Sequence, residues 1–164
     1  MQSKTYKQIA LNIDKSPFII NDLKDDTGFL MLQVSNLWGN NHERALKKYH
    51  GLTHMQYAIL ASVSWLVYKC NIQVTQSILA QHTKINPMTI SQIFKVLEAK
   101  GFIFRTKHPT DIRSKVVHLT PEANDIIHKA FHTIWDVDAK FFNDIKEQQE
   151  QFNQCLYNLL KAND

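Results

Sequence analysis

Basic side chains are concentrated in one part of the chain, between Lys84 and Lys115. That stretch holds seven Lys or Arg residues and two acids, which gives it a net charge of +5. The whole 164-residue chain carries a formal charge of +4, so the remainder sums to −1. A positive charge confined to one segment is typical of a surface that contacts the phosphates of a nucleic acid.

Side chains that can hydrogen-bond to bases lie on a helix predicted from Pro87 to Lys100. Its buried face is predicted from apolar residues at i, i+3, i+4 and i+7 spacing, namely Ile90, Ile93, Phe94 and Leu97. The opposite face carries Met88, Thr89, Ser91, Gln92 and Lys95. A duplex major groove admits one helix, and a Gln side chain pairs well with adenine. The alternative interpretation is a polar face that is only solvated.

Local start and stop signals predict the elements around that helix. Asn86 is a favoured N-cap and Pro87 a favoured first helical residue, while Gly101 ends the helix. Thr75 can cap a shorter helix before it. The segments 102–107 and 115–119 are predicted strands, joined by a charged tip at 108–114. The segment therefore predicts two short helices followed by a β-hairpin.

The flanking segments are predicted to be helical and rich in large apolar residues. A capping box, Thr53 to Gln56, begins a mostly apolar central helix that ends near residue 69. A helix is also plausible at about 27–48. After the cap signal at Thr120 and Pro121, one long helix is expected to carry an apolar stripe as far as Ile145. A last helix carries Phe152, Leu156, Leu159 and Leu160.

The extent of these stripes favours assembly with a second copy. Apolar surface on this scale rarely stays exposed on a soluble monomer, so we expect the terminal helices of two chains to interleave in a symmetric dimer. Packing of the C-terminal stripe on the first helix of the same chain is the simpler alternative, and both arrangements are compatible with the sequence.

Composition excludes several other classes of protein. The chain has the length of one domain, with 44% hydrophobic residues, and no apolar run approaches the ~18 residues that suggest a membrane span. Its first 16 residues lack the features of a signal peptide, so a cytoplasmic protein without membrane contact is expected. We find no nucleophile elbow, phosphate loop or paired carboxylates, and therefore predict no catalytic residues, no cofactor and no enzyme activity.

Cysteine and histidine spacing gives little support for a metal or redox site. Cys70 and Cys155 have no CxxC spacing; an incidental thiol is favoured for the first and packing for the second. His128 and His132 have the i, i+4 spacing that can chelate a metal. No acid or cysteine completes a site beside them, so no metal ligands are predicted.

The order and spacing of these pieces resemble the MarR (multiple antibiotic resistance regulator) family of bacterial winged-helix transcription factors. The resemblance covers about residues 27–162, and the matching segments are GLTHMQYAIL at 51–60, TQSILAQHTKI at 75–85, PMTISQIFKVLEAKGFIFR at 87–105 and HPTDIRSKVVHLT at 108–120. The most specific match is Asp111-x-Arg113-Ser114 shortly before Leu119-Thr120. The implied fold is mainly α with a small β-hairpin: a winged helix-turn-helix flanked by N- and C-terminal dimerisation helices.

This resemblance implies a division of the chain and roles for individual residues. Residues 1–52 would hold the N-terminal segment and first dimerisation helix, 53–120 the DNA-binding lobe, and 121–164 the C-terminal dimerisation helices. Arg113 would enter a narrow A·T-rich minor groove, oriented by a charge-assisted pair with Asp111. The alternative is an ordinary turn with a surface ion pair. Arg105, Lys107 and Lys115 are expected to contact phosphates. The complete predicted DNA-binding set is Thr75, Gln76, Pro87, Met88, Thr89, Ser91, Gln92, Lys95, Arg105, Lys107, Asp111, Arg113 and Lys115.

Three positions depart from the pattern of the family. His108 stands where the family often has Asp, Ala123 where it often has Gly, and Gln92 where many members have Arg. The departures leave the predicted fold unchanged. The presence of Gln92 in place of Arg is expected to change which bases the helix prefers.

The predicted function is that of a homodimeric, sequence-specific regulator that binds double-stranded DNA, with a palindromic operator as its site. The resemblance further implies a repressor that responds to a small-molecule effector bound between the DNA-binding lobe and the dimer helices. Candidate ligand contacts are Trp38, Trp65 and Tyr68, although core packing is the favoured interpretation for each. Two alternatives remain: a winged-helix protein–protein interaction module without DNA binding, and a thiol or metal sensor on the same scaffold.

Overall fold

The computed structural model of the chain describes residues 22–163 and is mainly helical with one β-hairpin, as predicted. The elements are α1 (Thr27–His50), α2 (His54–Tyr68), α3 (Gln76–Thr83), α4 (Pro87–Ala99), β1 (Ile103–Lys107), β2 (Lys115–Leu119), α5 (Pro121–Phe141) and α6 (Gln149–Ala162). Short 3-10 helices occupy Leu23–Asp25 and Asn143–Gln148. Residues 1–21 of the predicted N-terminal segment lie outside the described residues. Among the helices of the described range, none is both long enough and apolar enough to cross a membrane.

The chain divides into two compact units, and the boundary between Leu37 and Trp38 falls inside α1. In the described part of the first unit, the Asp26 carboxylate accepts a hydrogen bond from the backbone N–H of Phe29 at 2.9 Å, as a side chain does at the start of a helix. In the described part of this unit, Phe29 is half-buried and five further large apolar side chains are exposed: Leu30, Met31, Leu32, Val34 and Leu37.

The second unit is built around α2, which contacts α3, α4, α5 and β2. Thr53 and Gln56 form the predicted capping box at its start. A helix in the centre of a domain must be apolar on most sides, and Ile59, Leu60 and Val63 are accordingly inaccessible to solvent. They belong to one core with residues of the neighbouring elements, including Leu79, Ile90, Phe94, Leu97, Val117 and Ala130.

Local signals at the hairpin and at α4 are confirmed in detail. Asn86 caps α4 by accepting from the backbone N–H of Met88 at 2.8 Å. Gly101 adopts φ +73°, a left-handed conformation that glycine allows without strain, and so redirects the chain into β1. The two strands are antiparallel, and Lys107 pairs with Lys115 next to the tip. The backbone N–H of Val117 donates to the carbonyl of Val74, so β2 also contacts the segment before α3.

Two predictions were wrong, one about the end of a helix and one about packing. The long helix ends at Phe141, and Ile145 lies in the following 3-10 turn with non-helical angles, although its apolar spacing continues the stripe. Trp65 and Tyr68 are exposed by 55% and 61%, because they lie on the side of α2 that faces away from the core, whereas Leu66 between them is buried in it. Cys155 is exposed in the single chain, where α6 buries none of its residues, so packing of Cys155 stays a prediction that depends on a second copy.

Candidate nucleic-acid interface

The exposed face of α4 is the one predicted from the sequence. Ile90, Phe94 and Leu97 are fully buried against the core, which fixes the rotation of the helix about its axis. The opposite side therefore faces solvent, where Met88 is 72% exposed. On that side Gln92 and Lys95 are also exposed, and Thr89 and Ser91 are half-buried.

A cleft of about 310 Å³ separates the start of α3 and the start of α4 from the hairpin, here called the wing (residues 103–119). Arg105, Arg113, Ser114 and Lys115 line it from the wing. Thr75, Gln76, Ser77, Pro87 and Phe94 complete the lining. The structure thus brings together residues that are far apart in sequence, and six of the predicted DNA contacts border one concave surface.

Two of these predicted contacts already have partners within the protein. Thr75 is buried, and its hydroxyl accepts from the backbone N–H of Ile78 at the start of α3. The side-chain amide of Gln76 donates to the carbonyl of Pro87 at 2.9 Å. That bond joins α3 to α4 at their first residues. Gln76 therefore helps to set the relative position of the two helices, whereas Thr75 caps α3.

Arg105 also has an internal partner, which the sequence did not indicate. Its Nε and Nη2 atoms each donate to the Glu98 carboxylate at 2.7 Å, and its guanidinium lies over the Phe94 ring, 5.6 Å from the centroid. The hydrogen bonds from Arg105 hold the pKa of Glu98 below its usual value, and those to Glu98 raise the pKa of Arg105. A bidentate pair of this kind fixes geometry as well as charge. Its position indicates that Arg105 anchors β1 to α4, while the predicted phosphate contact remains untested.

The tip of the wing is organised by Asp111, but not through the predicted pair of side chains. One carboxylate oxygen accepts from the backbone N–H of Arg113 at 3.0 Å, and the other accepts from the Ser114 hydroxyl. These bonds, led by the one from Ser114, lower the pKa of Asp111. In the described part of the chain, the ion pairs do not include one between Asp111 and Arg113. Both Asp111 oxygens thus accept from donors in the same turn, the Arg113 backbone N–H and the Ser114 hydroxyl. The direction of the exposed Arg113 side chain is therefore set by the conformation of its backbone.

His108 is a wing residue whose role the sequence prediction missed. Its Nδ1 atom accepts from the backbone N–H groups of Asp111 at 3.1 Å and Thr110 at 3.3 Å. The useful signal was present in the sequence, since a residue type other than the usual acid stands at this position of the tip. Lys107 and Lys115 are both exposed beside it.

Comparison with known proteins decides the family. The chain is 33% identical over 134 residues to YdcH of Bacillus subtilis (strain 168), an uncharacterized HTH-type transcriptional regulator, and the match covers 82% of this chain and 89% of YdcH. The sequence profile of the MarR family matches residues 52–115. The chain belongs to the MarR family. The proteins of this family that the chain resembles are transcriptional regulators and not enzymes, in agreement with the prediction of no enzyme activity.

Solved MarR-family structures share the fold. A transcriptional regulator from Streptomyces coelicolor in complex with DNA superposes with a TM-score of 0.75 at 18% identity, covering 90% of this chain and 92% of that chain. CouR from Rhodococcus jostii, bound to p-coumaroyl-CoA, gives a TM-score of 0.71 at 23% identity, covering 85% of this chain and 95% of that chain.

The ligand residues predicted from the MarR resemblance do not converge in the structure. Trp38 packs against the rings of His42 and His54, with centroids 4.3 and 5.0 Å away, at the start of α2. Trp65 and Tyr68 lie near the other end of α2, and eleven residues of helix separate His54 from Trp65 by about 16 Å. The three side chains therefore do not line one compact pocket, and their role as ligand contacts stays a prediction.

The Trp38 cluster contains a partly buried polar network that sequence reasoning did not find. One Asp138 oxygen accepts from the Trp38 indole N–H at 2.7 Å and lies 2.7 Å from Nε2 of His42, which is 2% exposed. Burial lowers the pKa of His54, and the nearby His42 acts in the same direction. The Nδ1 atoms of both histidines are buried without a hydrogen-bond partner. The network links residues of α1, α2 and α5.

The prediction that no residues bind a metal is based on the sequence. His128 and His132 are both exposed on α5. Within residues 22–163, no group of three or more His, Cys, Asp or Glu side chains is arranged to hold a metal ion. Cys70 is exposed at the end of α2 and is a free thiol.

Proposed function

We propose that this MarR-family regulator binds double-stranded DNA through α4 and the wing. The observation that carries the proposal is a cleft bordered by the start of α4 and the basic wing, with the exposed face of α4 continuing from Met88. Phosphates require cations at the rim, and bases require polar side chains that can enter a groove. The wing and the exposed face of α4 offer both within one compact unit.

In the proposed complex, α4 enters the major groove and the wing follows the adjacent backbone. Met88, Thr89 and Gln92 are the contacts to base edges, since they lie in the first half of the helix on its accessible side. Lys107 and Lys115 contact phosphates, and Arg113 enters the minor groove. The related regulator from Streptomyces coelicolor, which was solved with DNA, supports this arrangement at the level of fold.

We further propose that the protein is a homodimer on a palindromic site, with its terminal helices as the dimerisation elements. α5 leaves Phe131 and Trp135 exposed by 50% and 65%. On α6, Phe152, Tyr157, Leu159 and Leu160 are exposed. A second copy is the partner that would cover apolar surface on this scale. The division into residues 1–52, 53–120 and 121–164 remains part of this proposal.

The proposed regulatory role is repression in the cytoplasm, relieved or changed by a small molecule. CouR, which was solved with p-coumaroyl-CoA, supports a small-molecule response within this fold. A ligand can change DNA affinity only if it binds one arrangement of the dimer better than another. Trp38 remains a candidate contact near the start of α2, and Trp65 and Tyr68 remain candidates near its other end.

Selection of bound fragments from the source genome tests the proposal. Fragments recovered with the purified protein should share a palindromic sequence and bind again at moderate salt. Arg113→Ala should weaken that binding, whereas Lys161→Ala, which removes an exposed charge at the end of α6, should leave it unchanged. If no duplex binds above background, the protein–protein interaction module becomes the better interpretation.

A further inference from the structure

We propose that His108 is a positioning residue of the wing, whose unprotonated Nδ1 atom fixes the turn that presents Arg113. The expected effect of His108 on DNA binding rests on the proposed function. The underlying geometry is a property of the free protein. It concerns a position at which this chain departs from the acid common in its family.

The His108 ring closes the first half of the tip. Its Nδ1 atom lies 3.1 Å from the backbone nitrogen of Asp111 and 3.3 Å from that of Thr110, and the Thr110 hydroxyl is 3.4 Å away. Two backbone N–H groups can only donate, so Nδ1 must accept. The imidazole is therefore neutral, with its proton on Nε2.

The backbone around His108 favours the same arrangement. Pro109 fixes its own φ near −65° and disfavours helical angles at His108. The backbone N–H of His108 donates to the carbonyl of Ser114 at 3.2 Å, which closes the base of the tip. The ring is thereby held over the turn that follows it.

Asp111 continues the arrangement into the second half of the tip. Its backbone N–H is held by His108, and its carboxylate in turn accepts from the backbone N–H of Arg113 and from the Ser114 hydroxyl. Two side-chain acceptors in succession therefore determine the path of the backbone from 108 to 114. The direction of the Arg113 side chain follows from that path.

The expected effect is on DNA affinity more than on folding. The tip is exposed, so water can replace lost hydrogen bonds to its N–H groups, and the core is remote from it. A tip without its acceptors samples several conformations, and ordering it on DNA then costs conformational entropy. The intact tip is already ordered before it binds.

Substitutions that move or remove one acceptor test this role. Asn places its side-chain oxygen two bonds from Cβ, where Nδ1 is, whereas Gln places it one bond farther out. His108→Ala and His108→Gln should weaken operator binding about fivefold or more, and His108→Asn should restore it to within about twofold. All three variants should keep the thermal stability of the parent protein. Equal binding by His108→Asn and His108→Ala would overturn the proposal.

Nitrogen-15 NMR of the imidazole in the free protein provides an independent test. His108 should show a proton on Nε2 and none on Nδ1 at neutral pH, and a proton found on Nδ1 would contradict the geometry. The outcomes are separable from those of the proposed function. If Arg113→Ala binds operator normally, the proposed contact between the wing and DNA is refuted, and so is the effect of His108 on binding. The NMR result still decides whether Nδ1 of His108 is the acceptor in the tip.

Discussion

Arg105 and Glu98 form a bidentate ion pair that connects the first strand of the wing to α4, with both donor–acceptor distances at 2.7 Å. The side chains are only 21% and 31% exposed, so the pair is partly shielded from solvent. It joins the two elements that the proposed complex places in different grooves. The wing and α4 are therefore expected to move as one body.

Breaking this pair should weaken DNA binding even though it removes an acid from a surface that faces phosphates. We expect Glu98→Gln to lower operator affinity about three- to tenfold because the wing loses a charge-assisted anchor. Its log–log salt dependence should stay unchanged, whereas Lys107→Ala should flatten the slope by about one unit. Fluorescence anisotropy at several salt concentrations measures both effects. Tighter binding by Glu98→Gln would show that electrostatic repulsion outweighs anchoring.

Gln92 should determine which operator variants are preferred. Because it is exposed on α4, Gln92→Ala should change discrimination between bases at one position by ~1–3 kcal/mol, the contribution of a bidentate base contact. Gln81→Ala, which alters an exposed amide on α3, is the matched control. Binding to a panel of single-base operator variants gives the measurement. A uniform loss across the panel would mean that Gln92 contacts the backbone instead.

Asp111 should act as a hydrogen-bond acceptor rather than as a charge. Asp111→Ala removes the acceptors for the Arg113 backbone and the Ser114 hydroxyl, and we expect at least a tenfold loss of operator affinity, or about 1.4 kcal/mol. Asp111→Asn keeps one acceptor oxygen and removes the negative charge, so it should bind at least as well as the parent. Weak binding by Asp111→Asn would instead support a charge-assisted pair with the Arg113 side chain.

The histidine cluster should make stability depend on pH. Burial depresses the pKa of His54 in the folded protein, so its contribution to stability is present above the unfolded value of about 6.5 and is lost as the pH falls below it. We expect the free energy of unfolding to decrease between pH 7.5 and 5.5. His54→Phe should reduce that decrease while keeping the ring contacts with Trp38.

Denaturant titrations at fixed protein concentration provide the measurement, because assembly also affects apparent stability. The matched control is His128→Gln, which changes an exposed histidine on α5 and should leave the pH dependence intact. Burial also lowers the pKa of His50, so some pH dependence should persist in His54→Phe. An identical pH profile for His54→Phe and the parent would contradict the assignment to this cluster.

The apolar surface of the terminal helices predicts a stable dimer. Light scattering at micromolar concentration should give about twice the chain mass of 19.1 kDa. Replacing two exposed leucines of α6 together, in Leu159→Glu/Leu160→Glu, should shift the protein towards monomer while the DNA-binding lobe stays folded. A parent protein that is cleanly monomeric would refute the dimer and the palindromic site that depends on it.

Features set by short-range chemistry could be predicted from the sequence. The capping box at Thr53 and the Asn86-Pro87 helix start depend on residues within one turn of each other, and both were correctly placed. Apolar spacing likewise oriented α4. The same spacing failed at Ile145, because an apolar stripe does not reveal where the backbone leaves the helix.

Features that depend on contacts between elements could not be predicted in this way. The Glu98–Arg105 pair spans the turn at Gly101, and the network at Asp138 joins residues about a hundred positions apart. Charge alone suggested that Arg105 was available to phosphates. The sequence shows that His108 stands where the family often has an acid, but the role of His108 as an acceptor depends on the conformation of the whole tip.

The contact between Val74 and β2 has a consequence for solubility. A two-stranded hairpin has two open edges, each of which can recruit a strand from another molecule and begin aggregation. Here the Val74 carbonyl accepts from Val117, and Thr75 bridges to Val116, so the middle of the β2 edge is covered by the protein's own backbone. The remaining edge belongs to β1, which is five residues long and carries Arg105 and Lys107. A short charged edge resists strand addition, and the wing can therefore project from the protein without acting as a template for misassembly.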